Sequence, residues 1–92
     1  MKKTMRSEED KKILKNRLNR ISGQIDGVKK MIDDNRYCDD VLTQLSAIEK
    51  AVKSLSFVIL EKHMYSCIKN DVQRGNTEVV DELMKLFRRY QS

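Results

Sequence analysis

The sequence of 92 residues contains no proline, no tryptophan and only three glycines. Proline and glycine mark tight turns and the ends of strands, and proline alone averages about 5% of residues in proteins. Their scarcity predicts an all-α chain with few turns. Hydrophobic residues make up 39% of the sequence and aromatic residues 5%. Because a chain this short buries only about 60% of its unfolded surface as a monomer, we expect a partner chain to complete the core.

Long hydrophobic runs are also missing. No apolar segment approaches the roughly 18 residues of a spanning helix, and the charged amino terminus lacks the apolar core of a signal peptide. This pattern predicts a cytoplasmic protein without a membrane partner. The net charge is +5, and between Lys11 and Lys30 seven basic residues stand against Asp26 alone. A basic face of this kind attracts polyanions, either nucleic acid or an anionic membrane surface.

Hydrophobic residues recur at steps of three and four and predict two long helices followed by a short one. Ser7, with an acidic residue three positions later, is an N-cap signature for helix 1. Helix 2 is predicted over 39–74, ended by Gly75, and Asn76 or Thr77 is predicted to cap helix 3. The apolar seams are Ile13 or Leu14, Leu18, Ile21, Ile25, Val28 and Ile32 in helix 1, and Val41, Leu45, Ile48, Val52, Leu55 and Ile59 in helix 2.

The two cysteines and the single histidine of the chain are Cys38, His63 and Cys67. His63 and Cys67 are one helical turn apart, so an imidazole nitrogen and a thiolate can converge on one point. Cys38 lies 25 residues before His63, which is about 37 Å along an unbroken helix. Cys38 therefore cannot join the other two within one chain, either as a metal ligand or in a disulfide.

In an antiparallel dimer of long helices, the start of one helix 2 lies beside the end of its partner. Cys38 of each chain then meets His63 and Cys67 of the other, and symmetry gives two sites. Two thiolates and one imidazole form a soft set of three donors, which suits Cu(I) and leaves Ni(II) or Co(II) short of ligands.

A longer pattern includes these ligands: RLNRISGQIDG at residues 17–27, Tyr37 followed by Cys38, QLSA at residues 44–47, then His63 and Cys67. It resembles the copper-sensing operon repressor family of bacteria over nearly the whole chain. The resemblance implies an all-helical fold without a helix-turn-helix, a homodimer in the form of an antiparallel four-helix bundle, and a dimer of dimers. It also implies that the metal-free homotetramer binds double-stranded operator DNA and that Cu(I) releases it from copper-efflux genes.

The resemblance further places Tyr37 and Glu82 behind the metal ligands and adds a copper chaperone as a metal donor. Related nickel and cobalt sensors use additional histidines, including one where this chain has Cys67. Sulfide or persulfide sensors keep both cysteines and lack the histidine, and formaldehyde sensors lack the second thiol. We therefore interpret residues 1–92 as a single helical metal-sensing and DNA-binding domain, with a frayed tail at about residues 1–6.

Arg17, Arg20 and Gln24 share a face of helix 1 beside the apolar seam. Arginine offers forked donors to phosphates and guanine edges, and glutamine can pair with adenine. The alternative is an ordinary solvated basic face. We predict that these three residues contact the operator.

Lys50 and Lys53 extend the predicted DNA contacts onto helix 2. Where members of the family often carry an arginine after the second lysine, this chain has Ser54. No aromatic residues interleave with the basic ones, so stacking on single-stranded nucleic acid is not expected.

Three alternatives stay open at this point. The first is a persulfide-responsive repressor of the same fold that uses Cys38 and Cys67. The second is a basic helical bundle that binds membranes or partners without specificity, in which the cysteines and His63 are ordinary core residues. The third is an enzyme in which His63 activates Cys67, but no orienting third residue or glycine-rich loop accompanies the pair. We predict that the chain is not an enzyme.

Overall fold

A computed structural model of the chain describes residues 3–67, 74–75 and 78–89. The described residues form three α-helices, α1 at Glu8–Asp33, α2 at Cys38–Cys67 and α3 at Glu78–Arg89. Their lengths of 26, 30 and 12 residues confirm the predicted order of two long helices and a short one. None of these helices, as far as the structure describes them, is both long and apolar enough to cross a membrane.

Helix α1 begins where the sequence predicts. The Ser7 hydroxyl oxygen accepts a hydrogen bond from the Asp10 backbone N–H at 3.1 Å, which satisfies one of the free donors of the first turn. Glu8, Glu9 and Asp10 place negative charge at the positive end of the helix dipole. Lys11 adds an ion pair to Glu8 at 3.2 Å between Nζ and Oε1.

Helix α1 ends in a left-handed residue. Asn35 has φ of 56°, a conformation that asparagine tolerates better than most residues. The Arg36 N–H donates to the Met31 carbonyl at 2.9 Å, and the Asn35 N–H donates to the Ile32 carbonyl at 3.1 Å. This pair of bonds is a Schellman motif, and it turns the chain from α1 toward α2.

Helix α2 starts at Cys38, directly after Tyr37. The Tyr37 carbonyl accepts hydrogen bonds from the N–H groups of Asp40 at 3.0 Å and Val41 at 3.2 Å. Asp39 and Asp40 occupy the first turn. Their negative charges lie at the positive end of the helix dipole and stabilise the start of α2. These contacts fix the backbone of the Tyr37–Cys38 pair at the α1–α2 junction.

The chain forms two compact units, residues 1–55 and 56–92. In the first unit the buried hydrophobic residues follow seven-residue steps along each helix. They are Leu14, Ile21 and Val28 of α1 with Ile48 and Leu55 of α2. Among the residues of the second unit whose burial the structure describes, the buried hydrophobic residues are Leu60 of α2 and Leu83 of α3. Seven-residue steps are the period of packed helices, so α1 and the first half of α2 present one matched row each.

The seams predicted from sequence are only half buried within one chain. Over residues 18–32 of α1 and 45–55 of α2, every second seam residue remains exposed, and we call this set the exposed stripe: Leu18, Ile25 and Ile32 on α1, and Leu45 and Val52 on α2. Their exposed fractions run from 44% to 62%. A helix pair buries one row of each member, whereas the seam is two rows wide. The exposed stripe is the second row.

The carboxyl-terminal predictions are covered only in part. Residues 68–73 of the predicted helix 2 and the predicted caps Asn76 and Thr77 lie outside the described residues, and the prediction of helix through Arg74 is wrong at Arg74 itself. Arg74 and Gly75 form a turn, and Gly75 has φ of 84°, the left-handed conformation favoured by glycine at helix ends. Among the α3 residues whose burial the structure describes, Leu83 is the most deeply buried, with 2% of its surface exposed.

Candidate metal centre and nucleic-acid interface

Cys38 is the first residue of α2, and its thiol is free and exposed. Tyr37 precedes it at the junction with α1, with 73% of its surface exposed. Both residues belong to the first unit. The hydrogen bonds of the first turn of α2 hold the backbone of both residues. The Cys38 thiol is therefore accessible to solvent from a fixed backbone position at the start of the helix.

His63 lies near the end of α2 in the second unit, and it is half-buried. Cys67 is the last residue of α2, and its side chain lies outside the described part. Glu82 is exposed on α3. Among the side chains that the structure describes, no three from His, Cys, Asp and Glu are grouped to hold a metal ion. The Cys67 side chain is not among those described. The predicted ligand set and the predicted roles of Tyr37 and Glu82 therefore stay predictions.

The chemistry of the three donors fits a monovalent soft metal. Thiolate ligands select Cu(I), and imidazole is a common companion ligand for copper. His63 is the single histidine of the chain, so the nitrogen-rich tetragonal set that suits Ni(II) cannot be built from imidazoles here. The donor types therefore favour copper over nickel.

The predicted DNA contacts of helix 1 line a surface pocket between α1 and α2. The volume of this α1–α2 pocket is about 300 Å³. Its lining residues are Arg17, Arg20, Ile21 and Gln24 of α1 with Ala51 and Ser54 of α2. All six belong to the first unit. The structure thus brings three predicted contacts together in one place.

The two arginines of the α1–α2 pocket are exposed, and neither forms an ion pair with any residue that the structure describes. By contrast, Lys29 on the same helix pairs with Asp26, at 3.9 Å between Nζ and Oδ1. Within the described part of the chain, the positive charge of Arg17 and Arg20 is therefore not offset by an ion pair with a carboxylate. A surface with uncompensated guanidinium groups attracts phosphates.

Lys50 and Lys53 are exposed on α2, but they do not line the α1–α2 pocket. The residues that α2 contributes there are Ala51 and Ser54, each one position after a lysine. In the sequence alone, Ser54 differs from its neighbours only in standing where the resembled family often carries an arginine. Its place beside Arg17 and Arg20 depends on how α2 packs on α1, which no local pattern shows.

Residues 10–89 match the family described as metal-sensitive transcriptional repressor. The chain belongs to this family. It is therefore a metal-responsive transcriptional repressor and not an enzyme, and the predicted copper-sensing resemblance is confirmed at the level of the family. Membership also implies binding to DNA and assembly into oligomers.

Two individual members of the family, both named as copper-sensing repressors, are similar to this chain. The chain is 35% identical to the copper-sensing transcriptional repressor CsoR of Bacillus subtilis (strain 168), over 92% of this chain and 85% of that protein. The crystal structure of the copper-sensing repressor CsoR with Cu(I) from Geobacillus thermodenitrificans NG80-2 is 36% identical, with a TM-score of 0.85 over 98% of this chain and 95% of the other.

A second solved structure, the nickel-responsive transcriptional regulator InrS, is also 36% identical. Its TM-score is 0.76 over 98% of this chain and 99% of InrS. Because copper-sensing and nickel-responsive relatives share the same identity with this repressor, identity alone does not choose the metal. The comparisons give no support to a copper chaperone as metal donor.

Proposed function

We propose that this repressor responds to Cu(I), which binds to Cys38 of one chain and to His63 and Cys67 of another. The observation that carries the proposal is the donor set: two thiolates and one imidazole, with no second histidine in the chain. Such a set matches Cu(I) and offers too few nitrogen ligands for Ni(II). The copper-sensing relatives from Bacillus and Geobacillus support the same metal.

The ligand set requires two chains because α2 is one continuous helix from Cys38 to Cys67. Cys38 and His63 are 25 residues apart, or about seven turns and about 37 Å along a helix. Cys67 follows at 29 residues, close to eight turns. The three positions therefore recur on one side of α2 at opposite ends. In an antiparallel dimer, the α2 of the partner places its His63–Cys67 end beside Cys38, and its Cys38 end beside His63 and Cys67.

The exposed stripe supports a partner on that side of the helix. Cys38 precedes Leu45 and Val52 at seven-residue steps, so it lies on the same row of α2. A second copy that covers this row removes apolar surface from water and reaches Cys38 in the same contact. We infer an antiparallel four-helix-bundle homodimer that pairs again into a homotetramer, with residues 1–92 acting as one metal-sensing and DNA-binding domain.

The operator is bound by the metal-free tetramer through Arg17, Arg20, Gln24, Lys50 and Lys53. Cu(I) favours a tetramer conformation that fits DNA less well, and release of the operator turns on copper-efflux genes. By linkage, operator binding weakens Cu(I) binding by the same factor.

Behind the ligands, the second ring N–H of His63 donates a hydrogen bond to Tyr37 or Glu82, which accepts it and orients the imidazole. A ligating imidazole usually bonds through its second nitrogen to such a group. This contact connects the metal to α3, which carries Glu82.

Mixed dimers test the shared site. One chain carries Cys38→Ser, the other carries His63→Ala with Cys67→Ser, and the two are purified together through different affinity tags. Shared sites predict one Cu(I) per heterodimer, because one complete set survives, and none in either parent homodimer. Sites within single chains predict no bound Cu(I) in any of the three, and that result would overturn the shared ligand set.

The regulatory step is tested separately by fluorescence anisotropy of a labelled operator. Cu(I) is expected to raise the operator dissociation constant of the wild type and to leave that of Cys38→Ser unchanged. Ser46→Ala, at another exposed position of α2, is the matched control and is expected to respond like the wild type. Equal operator affinity with and without Cu(I) would refute the proposed response.

The exposed free thiol of Cys38 also favours a second candidate, a persulfide-responsive repressor. Cys38 and Cys67 of the partner each take one sulfane sulfur from a small-molecule persulfide, which leaves as a thiol, and the two resulting protein persulfides join as a trisulfide with loss of hydrogen sulfide. His63→Ala separates the two signals. It is expected to abolish the copper response and to leave a persulfide response intact. The reverse result would put the persulfide signal first. A non-specific basic bundle predicts equal affinity for operator and unrelated DNA, with no effect of either signal.

A further inference from the structure

The α1–α2 pocket has the chemistry of an anion site. Arg17 and Arg20 supply two guanidinium groups, and no carboxylate is among the lining residues. Gln24 and Ser54 add a neutral amide and a hydroxyl from opposite sides of the pocket. Charged and neutral donors together are the usual partners of phosphate oxygens in DNA complexes.

The size of the pocket suits more than an isolated ion. Its volume of about 300 Å³ is at the lower end of the range for small-molecule sites, about 300–1,000 Å³. Ile21, with only 8% of its surface exposed, and the half-buried Ala51 form an apolar wall. A phosphate that carries a sugar can place its oxygens on the donors and its carbon atoms on this wall.

The pocket faces away from the surface that a partner chain is proposed to cover. At about 100° per residue, Leu18 of the exposed stripe lies about 40° to one side of the buried Leu14, and Arg17 lies about 60° to the other side. On α2, Val52 likewise lies about 40° to one side of the buried Ile48, and Ala51 lies about 60° to the other side. Dimerisation through the exposed stripe therefore leaves the pocket accessible.

We propose that the α1–α2 pocket binds one phosphate group, and that Ser54 is a DNA contact that donates its hydroxyl to that phosphate beside Arg17 and Arg20. The inference rests on the proposed function, because the phosphate is a phosphodiester of the operator backbone. A free phosphate compound carries the same chemistry and is the other source that can occupy the site.

The test is to fill the pocket from position 54. Ser54→Phe is compared with Ser46→Phe, an equal substitution at an exposed site of α2 outside the pocket. Operator affinity is measured by anisotropy at several KCl concentrations. We expect Ser54→Phe to weaken binding at least about tenfold and to reduce the salt slope by about 0.9 for each phosphate that the protein no longer neutralises. Wild-type affinity and slope in Ser54→Phe would overturn the proposal.

Smaller substitutions show whether the hydroxyl itself acts. Ser54→Ala is expected to weaken operator binding about twofold to tenfold, the range for removal of one hydrogen bond. Ser54→Thr keeps the hydroxyl and is expected to restore wild-type binding. Circular dichroism and sedimentation confirm that each variant folds and assembles. Equal binding by the alanine and threonine variants would remove the hydroxyl from the site.

Inorganic phosphate, added without DNA, separates the two sources of ligand. Amide chemical shifts of Arg17, Arg20 and Ser54 that move with phosphate in the wild type, but not in Ser54→Phe, show that free phosphate also enters the pocket. Unchanged shifts, together with weakened DNA binding by Ser54→Phe, assign the pocket to the operator backbone alone. Phosphate-induced shift changes of equal size in the wild type and in Ser54→Phe would overturn the assignment.

Failure of this inference differs from failure of the proposed function. Ser54 is distant in sequence from Cys38 and is not a proposed ligand, so Ser54→Phe is expected to bind the wild-type amount of Cu(I). If Ser54→Phe binds DNA like the wild type while Cu(I) still releases the operator, only the pocket assignment is wrong. If Cu(I) has no effect on wild-type binding, the copper response is wrong and the Ser54 comparison still decides the pocket.

Discussion

Replacing Ile25 by alanine tests whether a partner chain covers the exposed stripe. Ile25 is 44% exposed in the single chain, whereas Ile21, one turn earlier on α1, is 8% exposed. The two residues have the same side chain on the same helix. Ile21→Ala is therefore the matched control, because it removes the same atoms from a position that one chain already buries.

The expected size follows from these exposures. Replacing isoleucine by alanine removes three carbon atoms, worth about 2.4 kcal/mol when fully buried at about 0.8 kcal/mol per CH₂. Scaled by its buried fraction, Ile25→Ala costs about 1.3 kcal/mol within one chain, which leaves about 1.1 kcal/mol for association. Two symmetric copies double this loss to about 2 kcal/mol, or about thirtyfold in the dimer dissociation constant. Ile21→Ala loses almost all of its contribution within one chain.

Sedimentation velocity over a dilution series measures the dimer dissociation constant, and urea unfolding measures the free energy of unfolding of each protein. We expect Ile25→Ala to weaken association and Ile21→Ala to lower stability with little change in the dissociation constant. Equal dissociation constants for wild type and Ile25→Ala would show that no partner covers the stripe. A wild type that remains monomeric at micromolar concentration would refute the reasoning outright.

Three further predictions concern DNA binding and the ends of α1. Arg17→Ala is expected to weaken operator binding and to reduce its salt slope by about 0.9 for each phosphate left without its basic partner, with no change in Cu(I) stoichiometry. Lys12→Ala, on another side of α1, is the control. Normal repression by Arg17→Ala would exclude this contact. Ser7→Ala removes the N-cap and is expected to lower the free energy of unfolding by about 1 kcal/mol in a urea titration, so unchanged stability would mean that the cap contributes nothing. Asn35→Val places a β-branched side chain at a positive φ and is expected to destabilise by about 1–2 kcal/mol, whereas Asn35→Gly, measured alongside, is expected to be neutral or stabilising.

The helices were predictable because their determinants are local. Ser7 caps α1 through a residue three positions away, and Asp39 and Asp40 match the start of α2 within its first turn. The absence of proline left no interior signal to break either long helix. Such features act over one or two turns, so the sequence contains all the information that they need.

The division of each seam was not predictable in the same way. Leu14 and Leu18 are both leucines at seam positions of α1, yet one is 7% exposed and the other 50%. Periodicity identifies the apolar side of a helix but not which row its own chain buries. That choice depends on how α2 packs on α1, as does the position of Ser54 beside Arg17.

In the proposed function α2 connects the metal to the DNA. Cys38 and His63 lie toward its two ends, and Lys50, Lys53 and Ser54 lie between them. A helix holds its residues at fixed spacing through its backbone hydrogen bonds, so a metal that draws its ends toward a partner helix also displaces the residues between them. In the same proposal the operator favours another position of those residues. Each ligand then weakens the binding of the other, and linkage makes the two effects equal.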